Sequence, residues 1–227
     1  DDFAIVQPSA KYITVKTLEQ YRARLWGACV RLFNGGRDAA FEASFIRSID
    51  QQLTEAWEKG ADDVGVARDE MTAEDIALLE QIVNNETEFV EGLMNDVQQA
   101  KDDGKTREQF DSQFGSRVDI WSRRYLETTD RARTHFGKKL KFEWQLGRTE
   151  IHCPFCEALA GIVAFGYEWD EAQAFPQNPP NPALTGEMNG APGCGGWGCD
   201  CHRMPTARRR TARAFDRITN IVVARHL

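Results

Sequence analysis

The 227-residue sequence contains no run of about 18 apolar residues, the length that a transmembrane helix requires. Its four histidines form no HExxH pattern and no recognisable arrangement with a nucleophile. The stretch "CGGWGC" has cysteine and tryptophan where a glycine-rich phosphate loop requires other residues. These absences argue against a membrane protein, a hydrolase and a nucleotide-binding enzyme. We therefore expect no membrane, no small-molecule substrate and no enzymatic activity.

The beginning of the sequence shows no targeting pattern. The stretch "DDFAIVQPSA" is acidic and polar, so we expect no signal peptide. Because residue 1 is Asp rather than Met, we interpret the chain as a processed product or as part of a longer precursor.

Residues 1–137 show the apolar spacing of amphipathic helices. The capping pattern "TLEQ" predicts a first helix that begins at Thr17 and ends at a glycine pair. A second helix is expected to stop at Gly60, a third to begin at Thr72 and a fourth to begin at Thr106. Four capped segments with short connections predict a helical bundle.

The pattern changes after residue 137. Apolar and polar residues alternate in "KKLKFEWQLG", which predicts a half-buried strand, and "AGIVAFGYEW" supplies a second run to pair with it. The segment 175–193 is rich in proline and glycine and is incompatible with regular structure. We therefore predict an α+β, mainly α fold. A helical domain (1–137) precedes a small cysteine-stapled, β-containing module (138–205) and a basic C-terminal tail (206–227).

Charge is distributed unevenly along the chain. The net charge is −7, yet residues 202–227 carry seven arginines and one acidic residue. The arginine cluster of this tail predicts attraction to phosphate or to an acidic protein surface. An apolar stripe beside it is typical of a docking segment or of a helix that closes the domain. The candidate partner-binding residues are Arg208, Arg209, Arg210, Phe215, Ile218 and Val222.

Five of the six cysteines occur in two short stretches. A CxxC spacing lets two thiolates converge on one metal ion, and two such clusters separated by a loop are typical of a structural zinc site. His152 and His202 lie next to these cysteines and add to the available ligands. Disulfides are the alternative, and redox catalysis is disfavoured because no βαβ frame surrounds the CxxC. The candidate zinc ligands are Cys153, Cys156, Cys194, Cys199 and Cys201.

A longer motif surrounds the first cysteine pair and reads W-x-x-G-x-T-E-x-H-C-x-x-C-x-x-L-x-G-x-V from Trp144 to Val163. It resembles the head-morphogenesis domain of tailed-phage minor head proteins, a family named after protein F of phage Mu. That family closes with H-P-x-C-R-C after a proline-containing loop. Here residues 199–201 stand for the C-R-C element and Cys194 for the histidine. The resemblance covers residues 20–205.

The resemblance implies a structural component of the virion. Such a protein binds the portal protein or the major capsid protein, assists head morphogenesis, and affects DNA packaging or release. It resides inside the head or at the portal vertex, and in the host cytoplasm during assembly. The basic tail offers a contact with packaged DNA. The alternative is a zinc-stabilised nucleic-acid-binding protein that uses this tail, which overall acidity and the lack of interleaved aromatics disfavour.

Overall fold

The structure is a computed structural model that describes residues 15–36, 39–147, 152, 154–172, 174 and 201–224. Over these residues the chain is mainly α-helical with one small antiparallel sheet, which confirms the predicted α+β, mainly α class. The chain divides into two compact units. The helical unit comprises the described residues of Lys11–Ala56 and Asp69–Tyr125, and the sheet unit comprises those of Trp57–Arg68 and Leu126–Leu227.

Four long helices account for most of the described chain. They are α1 (Val15–Gly35), α2 (Ala39–Asp62), α3 (Ala73–Asp102) and α4 (Arg107–Phe136), with a short 3-10 helix at Arg68–Glu70. In the helical unit α1 packs against α3. At the apolar positions of the helical pattern Ile76 is 39% exposed, whereas most side chains form the buried core of this unit: Leu25, Phe45, Leu53, Val90, Leu93, Val97, Phe110, Phe114 and Val118.

The predicted helix starts at Thr72 and Thr106 are confirmed. The Thr72 hydroxyl accepts a hydrogen bond from the Asp75 amide, and the Asp75 carboxylate accepts one from the Thr72 amide at 2.8 Å. The amide of Thr106 donates to Gln109 Oε1 at 2.9 Å, directly before α4. The first predicted helix is α1, which begins at Val15, two residues before the predicted start at Thr17 and within the range over which helix ends are defined.

Gly60, where the second helix is predicted to stop, lies inside α2, which continues to Asp62. A Cβ added at Gly60 would lie 2.3 Å from the carbonyl oxygen of Thr129 and 2.6 Å from the Cβ of Ala132. Glycine is therefore required here by the close approach of α2 and α4, not by the end of a helix.

The sheet unit is built around strand β1 (Lys141–Gln145), with β2 (Val163–Phe165) on one side and β3 (His202–Pro205) on the other. Both pairings are antiparallel. The predicted pairing of the two apolar runs is confirmed in the β1–β2 pair, whereas β3 was not predicted.

Helices α5 (Pro154–Leu159), α6 (Gly166–Glu171) and α7 (Ala214–Ala224) complete the sheet unit. Helix α7 packs against α5, α6 and β2. Two tryptophans at the centre of this core, Trp144 and Trp169, have ring centroids 5.7 Å apart. The buried core of the unit consists of Phe142, Trp144, Phe155, Cys156, Leu159, Ile162, Ala164, Trp169, Ala172, Ala174, Cys201, Ala214 and Ile218.

The segment predicted as a separate basic tail is part of the sheet unit. The amide of Thr206 donates to the carbonyl oxygen of Lys141 at 2.9 Å, and the amide of Thr211 donates to that of Val163 at 2.8 Å. The compact sheet unit also contains the end of α2, the end of α4 and α7. Among the described helices, none combines the length and the apolar character needed to cross a membrane.

Substitution of Gly60 tests the close approach of α2 and α4. We expect Gly60→Ala to destabilise the protein by about 1–3 kcal/mol, because the added methyl group overpacks the helix contact. The control is Gly92→Ala in α3, where an added Cβ meets nothing within 4 Å. It should stabilise the protein by about 0.5–1 kcal/mol through helix propensity. Chemical denaturation of both variants measures the difference, and equal stabilities would contradict the packing argument.

Candidate functional site

A buried ionic network lies behind strand β3. Arg203, whose side chain is fully buried, donates from its amide to Asp130 Oδ1 at 2.8 Å and from Nε to Asp130 Oδ2 at 2.7 Å. Arg133 Nη1 donates to the carbonyl oxygen of Arg203 at 3.1 Å. The same guanidinium donates from Nη2 to Asp63 Oδ2 at 2.6 Å. The network therefore joins β3 to α4, and α4 to the end of α2.

Asp170 lies at the edge of this network. Its Oδ1 is 4.0 Å from Arg203 Nη1. Burial raises the pKa of the Asp170 carboxyl, and the nearby positive charge of Arg203 opposes this rise only in part. The network is thus strongest between Arg203 and Asp130, where the amide and Nε of Arg203 donate directly to the Asp130 carboxylate.

Two of the five predicted zinc ligands, Cys156 and Cys201, lie within the described residues; Cys153, Cys194 and Cys199 lie outside them. Cys156 is in α5 and Cys201 directly precedes β3. Both side chains are buried and both belong to the core of the sheet unit. The structure thus brings one cysteine from each of the two stretches into the same core.

A histidine next to the first cysteine stretch in sequence lies close to a cysteine of the second stretch. His152 Nδ1 is 3.6 Å from Cys201 Sγ. This pair can act as a thiol–imidazole hydrogen bond, as a nucleophile with its base, or as two ligands of one metal ion. Among the residues that the structure describes, no three Cys, His, Asp or Glu side chains form a group that could hold a metal ion.

The donor types in this core fit zinc. Thiolate and imidazole are the ligands of structural zinc sites, and both are present at the junction between the two cysteine stretches. When bound, such an ion contributes folding free energy by linking its ligands. His152 and Cys201 are the described residues placed to hold it.

The three predicted arginines have different roles. Arg208 forms an ion pair with Glu143 of β1, and Arg210 forms one with Glu168 of α6. Arg209 is exposed. Two of the three charges therefore stabilise the sheet unit internally.

Glu168 is the best held of these carboxylates. Its side chain is 3% exposed, and its Oε2 accepts hydrogen bonds from the amide of Phe165 and from Arg210 Nε, both at 2.9 Å. Burial opposes ionisation of Glu168, but the hydrogen bonds from Arg210 and Phe165 outweigh it and lower the pKa of this carboxyl. Glu168 therefore remains a carboxylate near neutral pH.

The predicted apolar stripe faces the core of its own chain. Ile218 is fully buried, while Phe215 and Val222 are partly buried against the same core. This arrangement favours the helix that closes the domain over the docking segment. The outward surface of α7 carries Arg217 and Val223 instead, and Val223 is 52% exposed.

Sequence reasoning missed the roles of Arg203 and Asp130. Arg203 is one of the seven arginines of residues 202–227, and a count of charges does not distinguish it from the exposed arginines that follow. One signal was present: Arg203 stands between Cys201 and Pro205, in a short stretch bounded by a predicted ligand and a strand-ending proline.

Removal of Asp130 tests the buried network. We expect Asp130→Ala to destabilise the protein by about 3–5 kcal/mol, because the Arg203 guanidinium would remain buried without its counter-charge. The control is Asp119→Ala, which removes the partner of Arg22 from a pair whose side chains are 45% and 54% exposed. The control should lose less than about 1 kcal/mol. Urea denaturation of both variants gives the comparison, and similar small losses would rule out a stabilising network.

Arg210 and Arg209 form a second matched pair of sites. At neutral pH, Arg210→Ala should destabilise the protein by about 1–2 kcal/mol, a discounted value because the Arg210 guanidinium is partly exposed. Arg209→Ala should be close to neutral. The hydrogen bonds that lower the pKa of Glu168 stabilise the fold above its unfolded-state pKa of about 4.3, and this contribution is lost as pH falls through the lower, folded-state pKa.

The effect of Arg210→Ala should therefore depend on pH. Without Arg210 burial dominates and raises the pKa of Glu168, so the loss of stability is greatest near pH 7 and shrinks as Glu168 becomes protonated. Thermal or urea denaturation from about pH 3 to pH 7 measures this trend. The loss of stability should change mainly around the unfolded-state pKa of Glu168, about 4.3. A loss that is constant across this range would show that charge at Glu168 is not the cause.

No protein-family model, curated protein or solved structure matches the chain. The function is therefore inferred from residues of the chain itself. Those residues are the buried network, the paired Cys201 and His152, and the arginines that remain exposed.

Proposed function

We propose that the chain is a minor head protein of a tailed phage. In this role it is a structural component of the virion that binds the portal protein or the inner surface of the major capsid protein. It assists head morphogenesis and DNA packaging or release. It acts inside the head or at the portal vertex, after assembly in the host cytoplasm.

One observation carries the proposal: the described motif residues that resemble the head-morphogenesis domain build the fold of the sheet unit. Trp144, Cys156, Leu159 and Val163 are all buried. Gly161 has a positive φ of 73°, which favours glycine. A motif made of core and turn positions is typical of a shared fold, and it supports a resemblance in structure over a chance match of spacing.

The same observation supports a binding role over catalysis. A catalytic motif places reactive side chains in an accessible cleft, whereas these motif residues are core residues. Cys201, the one described thiol next to a histidine, is only 3% exposed and is poorly placed to attack a substrate. The proposed function therefore involves no enzymatic activity. Its proposed cofactor is a structural zinc ion.

The exposed arginines are the proposed contact with the partner. Arg209, Arg213 and Arg217 are exposed, while Arg203, Arg208 and Arg210 bind acidic residues of the chain itself. Arg217 and Val223 both lie on α7, where one supplies a positive charge and the other an exposed apolar side chain. Interfaces that use both arginine and apolar anchors are typical of protein partners, which favours portal or capsid protein over packaged DNA.

Charge reversal of the exposed arginines tests the proposal. We expect the triple variant Arg209→Glu, Arg213→Glu, Arg217→Glu to be excluded from heads that form when the chain is expressed with the head genes of its own genome. The matched control is Arg24→Glu, Arg31→Glu, Arg47→Glu, which makes the same charge change at exposed positions of α1 and α2. It should be incorporated normally. Quantitative mass spectrometry of purified heads measures both.

The outcomes separate the two functions. Absence of the unmodified chain from heads would refute the minor head protein. Normal incorporation of the arginine variant, together with loss of salt-dependent DNA binding by the purified protein, would favour the nucleic-acid-binding alternative. The melting temperature of each variant checks that it folds. Because the replaced side chains are exposed, each variant should melt within a few degrees of the unmodified protein, which corresponds to about 0.5 kcal/mol in stability.

A further inference from the structure

The separation of Cys201 and His152 matches that of two ligands of one metal ion. The two atoms Cys201 Sγ and His152 Nδ1 are 3.6 Å apart. Tetrahedral zinc holds sulfur at about 2.3 Å and imidazole nitrogen at about 2.1 Å, so two such ligands lie about 3.6 Å from each other. A thiol–imidazole hydrogen bond has a similar length, so the chemical surroundings of the pair and its place in the chain distinguish the two arrangements.

The surroundings of the pair fit a structural ion. Cys201 is 3% exposed and belongs to the hydrophobic core of the sheet unit, together with Cys156. An ion there would be shielded from water on the cysteine side, which is typical of closed structural sites. A nucleophilic cysteine instead needs access for a substrate, which this burial denies.

Because of the position of the pair in the chain, a shared ion would link two distant segments. His152 lies between β1 and α5, and Cys201 lies directly before β3. A link between them joins the two ends of a long intervening segment. Closing a long loop contributes more stability than closing a short one, because more freedom is removed from the unfolded chain.

We infer that His152 Nδ1 and Cys201 Sγ are two ligands of one zinc ion, so that the centre is a mixed imidazole–thiolate site and not an all-cysteine site. This inference rests on the zinc cofactor of the proposed function and deepens it by naming a ligand that the cysteine spacing did not select. The imidazole binds through Nδ1, which leaves Nε2 to donate a hydrogen bond.

The experiment uses the full chain, reduced and metal-free, titrated with Co²⁺ as a spectroscopic substitute for zinc. The unmodified protein should bind one Co²⁺ with absorption from thiolate-to-metal charge transfer. His152→Ala should weaken binding by more than about 100-fold, because even loss of a partner outside the first shell costs about 10–100-fold. His152→Cys should bind tightly again with a stronger thiolate absorption, since one more sulfur then contacts the metal.

His202 provides the matched control. It is a histidine adjacent to Cys201 in sequence, and it pairs with Gln145 in the β1–β3 ladder. His202→Ala should leave both the affinity and the absorption of the Co²⁺ complex unchanged. If His202→Ala weakens binding and His152→Ala does not, the ligand assignment is overturned.

Two further outcomes distinguish this inference from the zinc proposal on which it depends. Binding of one Co²⁺ with an identical spectrum in the unmodified protein and in His152→Ala overturns the inference alone and leaves an all-thiolate centre. Absence of metal binding in the unmodified protein, with disulfides detected by intact mass, overturns the zinc proposal as well. The binding of His152→Cys keeps the result interpretable if His152→Ala fails to fold, because restored binding supports a ligand at this position and absent binding contradicts it.

Discussion

The buried contact between Arg203 and Asp130 determines how the end of the chain joins the rest of the sheet unit. Removing two charges from water costs several kcal/mol per ion, so the pair depends on the hydrogen bonds that the Asp130 carboxylate accepts from Arg203. Asp130 accepts from the amide and the guanidinium of Arg203, and Arg133 caps the Arg203 carbonyl. A shifted β3 would leave these charges buried without partners. The network therefore selects one register of β3 against β1.

That register also positions the candidate metal site. Cys201 lies two residues before Arg203, at the point where β3 begins. Fixing Arg203 against α4 thus fixes the direction from which Cys201 approaches His152, which lies between β1 and α5. An ion bound by this pair would hold the same junction from the other side. The polar network and the proposed ion both act on β3. Each would exclude positions of this strand that the other still allows.

The sequence predicted those elements whose signals are local. Thr72 and Thr106 cap helices through residues three positions away, and the alternation around Phe142 and Trp144 predicts a strand without reference to the remainder of the chain. The elements that were missed depend on distant partners. Gly60 looks like a helix stop until α4 is placed against it, and Arg203 looks like a surface charge until Asp130, 73 residues earlier, is placed beside it. For the same reason the sequence offers His152 and His202 equally as additional metal ligands, because the choice between them depends on a distance between separate stretches.

The difference between local signals and distant partners also changes the interpretation of the arginine-rich residues 202–227. Counting charges treats each arginine as available to a partner, yet Arg203 and Arg210 bind carboxylates that are almost fully buried. Nor does the net charge of −7 decide what the remaining arginines attract. At physiological salt, charges interact over about 8 Å, so a partner at the surface responds to nearby groups rather than to the total. In the proposed function, a preference for a protein partner over DNA would therefore depend on the groups exposed on α7, such as Arg217 and Val223, and not on the total charge. An exposed apolar side chain adds desolvation energy that a phosphate backbone cannot exploit and a protein surface can.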